Sequence, residues 1–262
     1  MSEENNKRAT RFAIGIDLGT TNCVLSFVDY RQPQLGSQVL KIAQWDSNTS
    51  LAYRDELPSF AYAPTAAEQS RFADSEDSSP VPHLDWIPGI HARNQLAINP
   101  GRVILCAKSW LCHNNIDRTA AILPWQSTDI GGEQKLSPVA ASSLYLRWLK
   151  EIWQRSMLPD HPDAEFNNQN IIITVPASFD EAAQELTLQA ANQAGYPNNL
   201  RLIEEPQAAF YFWLGKEQHL SELNTLLESS GVDKIKHTGT QVNRRGKETQ
   251  WPPTQPTTGS GA

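Results

Sequence analysis

Residues 12–30 read FAIGIDLGTTNCVLSFVDY, and at their bend Asp17, Gly19, Thr20, Thr21 and Asn22 stand between two apolar runs. That combination suits a site for phosphate and a metal ion. A glycine lets the backbone approach a polyphosphate, whose oxygens the backbone N–H groups then bond. Threonine hydroxyls add donors. A carboxylate repels phosphate, but Asp17 can hold Mg2+ through water, because that ion dehydrates reluctantly. The same residues also suit a plain hairpin in which Asp and Gly only make the turn, and this stretch alone leaves both readings open.

The elements that must position this bend are legible in outline. FAIGI (12–16) and CVLSFV (23–28) read as strands joined by DLGTTN, a β-hairpin. Ser59–Ala63 reads as a short strand, and Ala66–Pro82, rich in Ser, Glu and Asp, as an exposed loop. Around Val103–Leu111 an apolar segment surrounds a single lysine, Lys108. Taken alone, Lys108 reads as a surface lysine with its stem laid along apolar neighbours. Ser137-Pro138 opens a helix, with Ser at the N-cap and Pro in the first helical position. Val139, Leu146, Leu149, Ile152 and Trp153 fall on one broad apolar face of it. IIITV (171–175) is β-branched throughout and reads as a buried central strand. Pro176 ends it, Asp180 caps the helix EAAQELTLQAANQA, and Gly195 and Pro197 stop that helix. LRLIEE is a further strand, and PQAAFYFWL starts a helix with Pro206 in its first turn. A hairpin followed by helix, strand, helix, strand and helix is an α/β layout.

Composition narrows the setting. Of 262 residues 39% are hydrophobic and 19% charged, a globular balance, and the net charge of −7 argues against a general affinity for nucleic acid. Cys23, Cys106 and Cys112 are an odd set with no CxxC pair, so neither a disulfide framework nor a zinc site is expected, and a cytoplasmic setting is. The Cys112-His113 pair has no second Cys/His pair to complete a metal site. The polar start MSEENNKRAT is not a signal peptide, residues 1–10 are expected to be disordered, and no apolar run reaches the ~20 residues of a membrane helix. Residues 229–262 are expected to be a disordered basic tail, because 234–262 carry five Lys or Arg against one Glu and show no periodicity.

Two stretches together carry a family resemblance. IGIDLGTTN, with IIITVPASFDEAAQELTLQAANQAGYPNNLRLIEEPQAAFYFWL (171–214), resembles the ATPase domain of the Hsp70 chaperone family. The first stretch matches that family's phosphate hairpin. Val175-Pro176-Ala177-Ser178-Phe179, Ala194-Gly195 and Glu204-Glu205-Pro206-Gln207-Ala208-Ala209 match its connecting segment. LPSFAY (57–62) is similar to the family's TPS strand and ILCAKSWL to the segment holding its catalytic lysine. The resemblance runs from about Phe12 to Leu214, and 65–135 align poorly, as in a divergent subgroup.

The resemblance implies an actin-like ATPase (ribonuclease H-like) lobe, α/β with a mixed sheet and flanking helices. The lobe would span 11–228, with a base of 11–43 and 136–228 and an insert of 44–135. It implies ATP with Mg2+ held through water. Asp17 would organise the metal's water shell, while Gly19, Thr20, Thr21 and Asn22 would meet the phosphates. Lys108 would sit by the γ-phosphate and the attacking water, which Glu205 would help orient. Partners in the intact family would be ATP/ADP, co-chaperones and unfolded polypeptide. Two departures stand out. Gln184 occupies the place of an arginine thought to relay nucleotide state, and the second phosphate motif, D-x-G-G-G-T, occurs nowhere. The family's next strand is expected near ESSGVDKI (228–235), where the basic tail begins instead, so a chain shortened at its C-terminus and weak or inactive alone is expected. The alternatives are a non-catalytic protein-interaction module and a sugar or acetate kinase of the same superfamily.

Overall fold

The computed structural model describes residues 10–47, 50–73, 85–113, 115–215, 221 and 223–226. They fall into two units, Met1–Glu205 and Pro206–Ala262. In chain order the elements are β1 (Phe12–Leu18), β2 (Asn22–Asp29), β3 (Gln38–Val39), β4 (Ile42–Trp45), β5 (Leu51–Arg54), β6 (Leu57–Pro58) and β7 (Phe60–Tyr62). Then come α1 (Ala66–Ala73), β8 (Ile87–Pro88), α2 (Ile90–Gln95), β9 (Val103–Leu105), α3 (Ala107–Trp110) and α4 (Pro138–Met157). β10 (Asn170–Val175), α5 (Glu181–Gln193), β11 (Arg201–Glu204) and α6 (Glu205–Leu214) follow.

β1 is the middle strand of the main sheet. Along one edge it pairs antiparallel with β2, from Phe12↔Asp29 to Leu18↔Cys23. Along the other it pairs parallel with β10, from Ala13↔Asn170 to Asp17↔Thr174. β10 pairs parallel with β11, and β2 pairs antiparallel with both β3 and β6. The sheet is therefore mixed, in the order β11-β10-β1-β2-β3, with β6 also on β2. Two smaller sheets, β4-β5 and β8-β7-β9, are built entirely from residues 42–105.

Side-chain alternation explains why these strands stack on a core. Phe12, Ile14, Ile16 and Leu18 are buried on one face of β1, and Ile171, Ile173 and Val175 extend that set on β10. α4 packs on β1 and buries all five residues of the apolar face read from the sequence. Its Trp153 meets Phe12 edge to face at 5.3 Å. The indole N–H of Trp153 donates to the Ala164 carbonyl at 2.7 Å, and that of Trp148 to Ala43 at 3.0 Å, so neither burial strands a donor. Both expected caps form: Ser137 Oγ accepts from Ala140 N–H, and Asp180 Oδ1 from Ala183 N–H. α5 ends at Gly195, whose φ of +76° favours glycine.

Three readings change. The strands run on to Leu18 and from Asn22, so the turn is only Gly19–Thr21. α6 starts at Glu205, one residue before Pro206. The segment expected to be a loop from Ala66 to Pro82 instead opens with helix α1. A capping box starts it: Thr65 N–H donates to Glu68 Oε2 at 2.8 Å, and Glu68 N–H reaches Thr65 Oγ1 at 3.4 Å. The rest of that segment, the strand expected at 228–235 and the expected tail lie outside the described residues. No helix among the described residues is long and apolar enough to cross a membrane. In the second unit, the described part of α6 shows Phe210 and Phe212 at the surface.

An ion cluster ties the sheet's entry edge together. Arg11, just before β1, donates to Asp29 at the end of β2 at 2.8 Å and to Asp163 at 3.0 Å. Burial pushes the Asp29 carboxyl up, but the Arg11 hydrogen bonds and the Arg31 N–H outweigh it and hold it below its ordinary value. Asp29→Asn removes the carboxylate that meets Arg11 at 2.8 Å and leaves Asp163 and His161 as its side-chain contacts, an expected loss of about 1.5–3 kcal/mol at neutral pH. The lowered carboxyl contributes in full above its unfolded value of about 3.9, and its contribution disappears as pH falls through the folded value. Denaturant unfolding should therefore separate wild type from Asp29→Asn at neutral pH, and the gap should close as pH falls below the unfolded value and through the lowered folded one.

Candidate functional site

β1, β10 and β11 are parallel, so their carboxyl ends reach the same edge of the sheet. In open α/β sheets that edge is where ligands settle. The residue following each strand is Gly19, Pro176 and Glu205 respectively, and all three line one cleft of about 410 Å3. Asp17, Thr20, Thr21, Asn22 and Lys108 line it too. Every residue singled out in the sequence for phosphate, metal or catalysis is thus placed around a single opening, within the first unit.

Each side chain reaches the cleft for a local reason. Asp17 lies opposite Thr174 in the β1–β10 register and accepts a hydrogen bond from its hydroxyl at 3.0 Å. That leaves its second oxygen for another donor. Gly19 is where the turn passes closest to itself: a Cβ there would collide with the Asn22 carbonyl. Thr20 and Thr21 are exposed at the tip. Lys108 arrives from the smaller sheets, in the helical turn α3 that follows β9. Cys106, which caps that turn, takes φ +55°, a left-handed conformation rare outside glycine and costly by about 1–2 kcal/mol.

The Lys108 side chain is only 5% exposed, and its ammonium pairs with Glu205 Oε1 at 2.5 Å. Its nitrogen also lies 6.0 Å from the centre of the Phe179 ring. The snorkelling surface lysine is therefore not what forms: the stem is buried and the charge is met by a carboxylate 97 residues away. Glu56, from the segment between β5 and β6, adds a third carboxylate to the lining beside Asp17 and Glu205. No motif contains Glu56, so nothing in the sequence singles it out. Gln184, at the position where the resemblance expects an arginine, donates to the Phe179 carbonyl at 3.3 Å.

Three carboxylates against one ammonium make this cleft a poor host for a bare polyphosphate, so an anionic ligand fits only with a cation to offset the charge. Among the described residues no group of three or more His, Cys, Asp or Glu is arranged to hold a metal ion.

Which partner is removed should decide the cost of breaking the Lys108–Glu205 pair. Glu205→Gln strands a buried ammonium, and a loss of about 1–3 kcal/mol is expected. Lys108→Met removes that charge and leaves the half-exposed Glu205 to water, so it should stay within about 1 kcal/mol of wild type. Urea unfolding of both variants checks the order, and Lys108→Met as the more destabilising change would refute it.

No family model matches the sequence. The chaperone protein HscA homolog of Polynucleobacter asymbioticus is 30% identical over 208 residues, covering 76% of this chain and 27% of that protein. The Chromobacterium violaceum HscA homolog is 31% identical over 207 residues, covering 76% and 28%. Heat shock 70 kDa protein 14 of Danio rerio is 34% identical over 123 residues, covering 46% and 23%. What the fold defines is an α/β protein with a mixed sheet, flanking helices and a cleft at its carboxyl edge. What the relatives add is descent: this chain is a homologue of the Hsp70-family chaperones. It spans about a quarter of the length of the curated relatives it matches.

Proposed function

We propose that this chain is the ATP-binding lobe of an Hsp70-like chaperone with the actin-like ATPase fold, acting in the cytoplasm. The observation that carries the reading is convergence: the hairpin turn at 19–22, Lys108 and Glu205 come from three distant parts of the chain and line one cleft. The homologues support a chaperone-like function. The sheet arrangement supports a base of 11–43 and 136–228 with an insert of 44–135, since the two small sheets draw only on 42–105.

In this reading the phosphate end of the nucleotide enters between the turn and Lys108. The hydroxyls of Thr20 and Thr21 and the backbone N–H groups of the turn donate to phosphate oxygens. Lys108, already desolvated, exchanges its partner Glu205 for the terminal phosphate and neutralises charge as it develops. Glu205, released, accepts a proton of the attacking water and holds it in line. Asp17, fixed by Thr174, accepts hydrogen bonds from water in the metal's shell. Bound Mg2+ would supply charge neutralisation of the phosphates. Co-chaperones and unfolded polypeptide would be partners of the intact assembly.

The sequence contains no D-x-G-G-G-T, so the phosphate contacts assigned here come from one side of the ligand. A micromolar site that loses three or four charge-assisted hydrogen bonds, each worth roughly 1.5–3 kcal/mol, becomes millimolar or weaker. Calorimetric titration should give millimolar affinity that falls from Mg-ATP to Mg-ADP to AMP, with barely detectable hydrolysis that Lys108→Ala abolishes. Equal affinity for adenosine and ATP would defeat the phosphate reading. Turnover that depends on a free sugar would favour a small-molecule kinase, and ATP binding with no phosphate release, unaffected by Lys108→Ala, would favour an interaction module.

A further inference from the structure

Ser59 directly follows β6, is 2% exposed, and makes two hydrogen bonds to the turn and a third contact to β2 beside it. Its hydroxyl donates to the Gly19 carbonyl at 2.7 Å. Its backbone N–H donates to the Thr21 carbonyl at 2.8 Å. Its Oγ also lies 3.3 Å from Cys23 Sγ. A hydroxyl has one proton, and the Gly19 carbonyl takes it, so the thiol is the donor in the third contact. The result is a chain of donors from Cys23 through Ser59 to Gly19. Burial pushes the Cys23 thiol up to about 12, so it keeps the proton that this chain requires.

The consequence follows from the planarity of the peptide bond. In a trans peptide the C=O of one residue and the N–H of the next point in opposite directions. Ser59 holds the carbonyls of Gly19 and Thr21, so the N–H groups of Thr20 and Asn22 are turned away from it. Both of those residues line the cleft. β6 sits where this is possible because it pairs with β2 directly beside the turn, at Asn22↔Pro58 and Cys23↔Leu57. Pro58 has no N–H to give, and Ser59 is the next residue that can donate from both backbone and side chain.

We infer that Ser59 is a positioning residue for the phosphate site: by tying back two alternate carbonyls of the turn, it presents the Thr20 and Asn22 N–H groups as a preset pair of anion donors. The inference rests on reading the cleft as a phosphate site. Preset donors bind without reorganisation, which is where their advantage over free amides lies.

The test uses the full chain, labelled with 15N and titrated with inorganic tripolyphosphate and Mg2+. In wild type the Thr20 and Asn22 amide signals should shift on titration. Ser59→Ala should weaken binding by about tenfold while its melting temperature stays within a few degrees, and Ser59→Thr, which restores the hydroxyl, should recover the affinity. Without ligand, Ser59→Ala should also raise the amide mobility of residues 19–22. Equal affinity in wild type and Ser59→Ala overturns the inference. If the wild-type amides do not respond, the phosphate reading fails, and unchanged mobility in unliganded Ser59→Ala overturns the positioning role as well. Should Ser59→Ala fail to fold, Ser59→Cys keeps the size with a weaker donor, and wild-type affinity in that variant overturns the role.

Discussion

The backbone ladder between β1 and β10 is the constraint on which the remaining structure hangs. It joins Asp17 to Thr174 across nearly the whole lobe and fixes which carboxyl ends lie together. Once that pairing is set, the residues that follow β1, β10 and β11 have no choice but to share an edge. The polar groups at that edge then need neither a long loop nor an unusual backbone to meet. The hairpin adds its turn to the cleft, and the helical turn after β9 adds Lys108.

The segment that carries Lys108 is held to this edge by an ion pair. Lys108 gives up nearly all its water, and a desolvated ammonium is tolerable only because Glu205 faces it. The same pairing brings a lysine and a carboxylate from distant parts of the chain together in the cleft. A cleft with more carboxylates than cations is selective by default: it resists free polyanions and admits those that bring their own positive charge. Ser59 works at a different level, on the backbone itself, and it reaches the turn through β6, which lies in sequence among the strands of the small sheets but pairs with the main sheet.

Much of this was legible in the sequence because it depends on local chemistry. Ser137 and Asp180 announce their helices by hydroxyl and carboxylate caps, and IIITV announces a buried strand by β-branching alone. α1 was masked by the polar composition of 66–82, although Thr65 and Glu68 spell a capping box just at its start. The hairpin bend alone left phosphate and plain turn equally open, and the meeting of Lys108 with Glu205 is a contact across 97 residues that no spacing encodes. It was expected only through resemblance to a family. Glu56 was beyond reach for the same physical reason, and the resemblance offered LPSFAY as a strand without the contacts that Ser59 makes. Their positions are set by which strand lies beside the turn, a tertiary fact, while their residue types are commonplace in loops.

The separation of β1 from β10 also sets a timetable for synthesis. While the ribosome is still making the chain up to about residue 165, the β1–β2 hairpin exists with one edge unpaired, and Ile14 and Ile16 have no β10 beside them. The two small sheets close earlier, since all their strands are complete by Leu105. The nascent protein therefore passes through a period with both small sheets complete and an open central edge, and long-range parallel pairing of this kind is slow to close. A protein homologous to chaperones spends its own synthesis in the exposed state that chaperones exist to shelter.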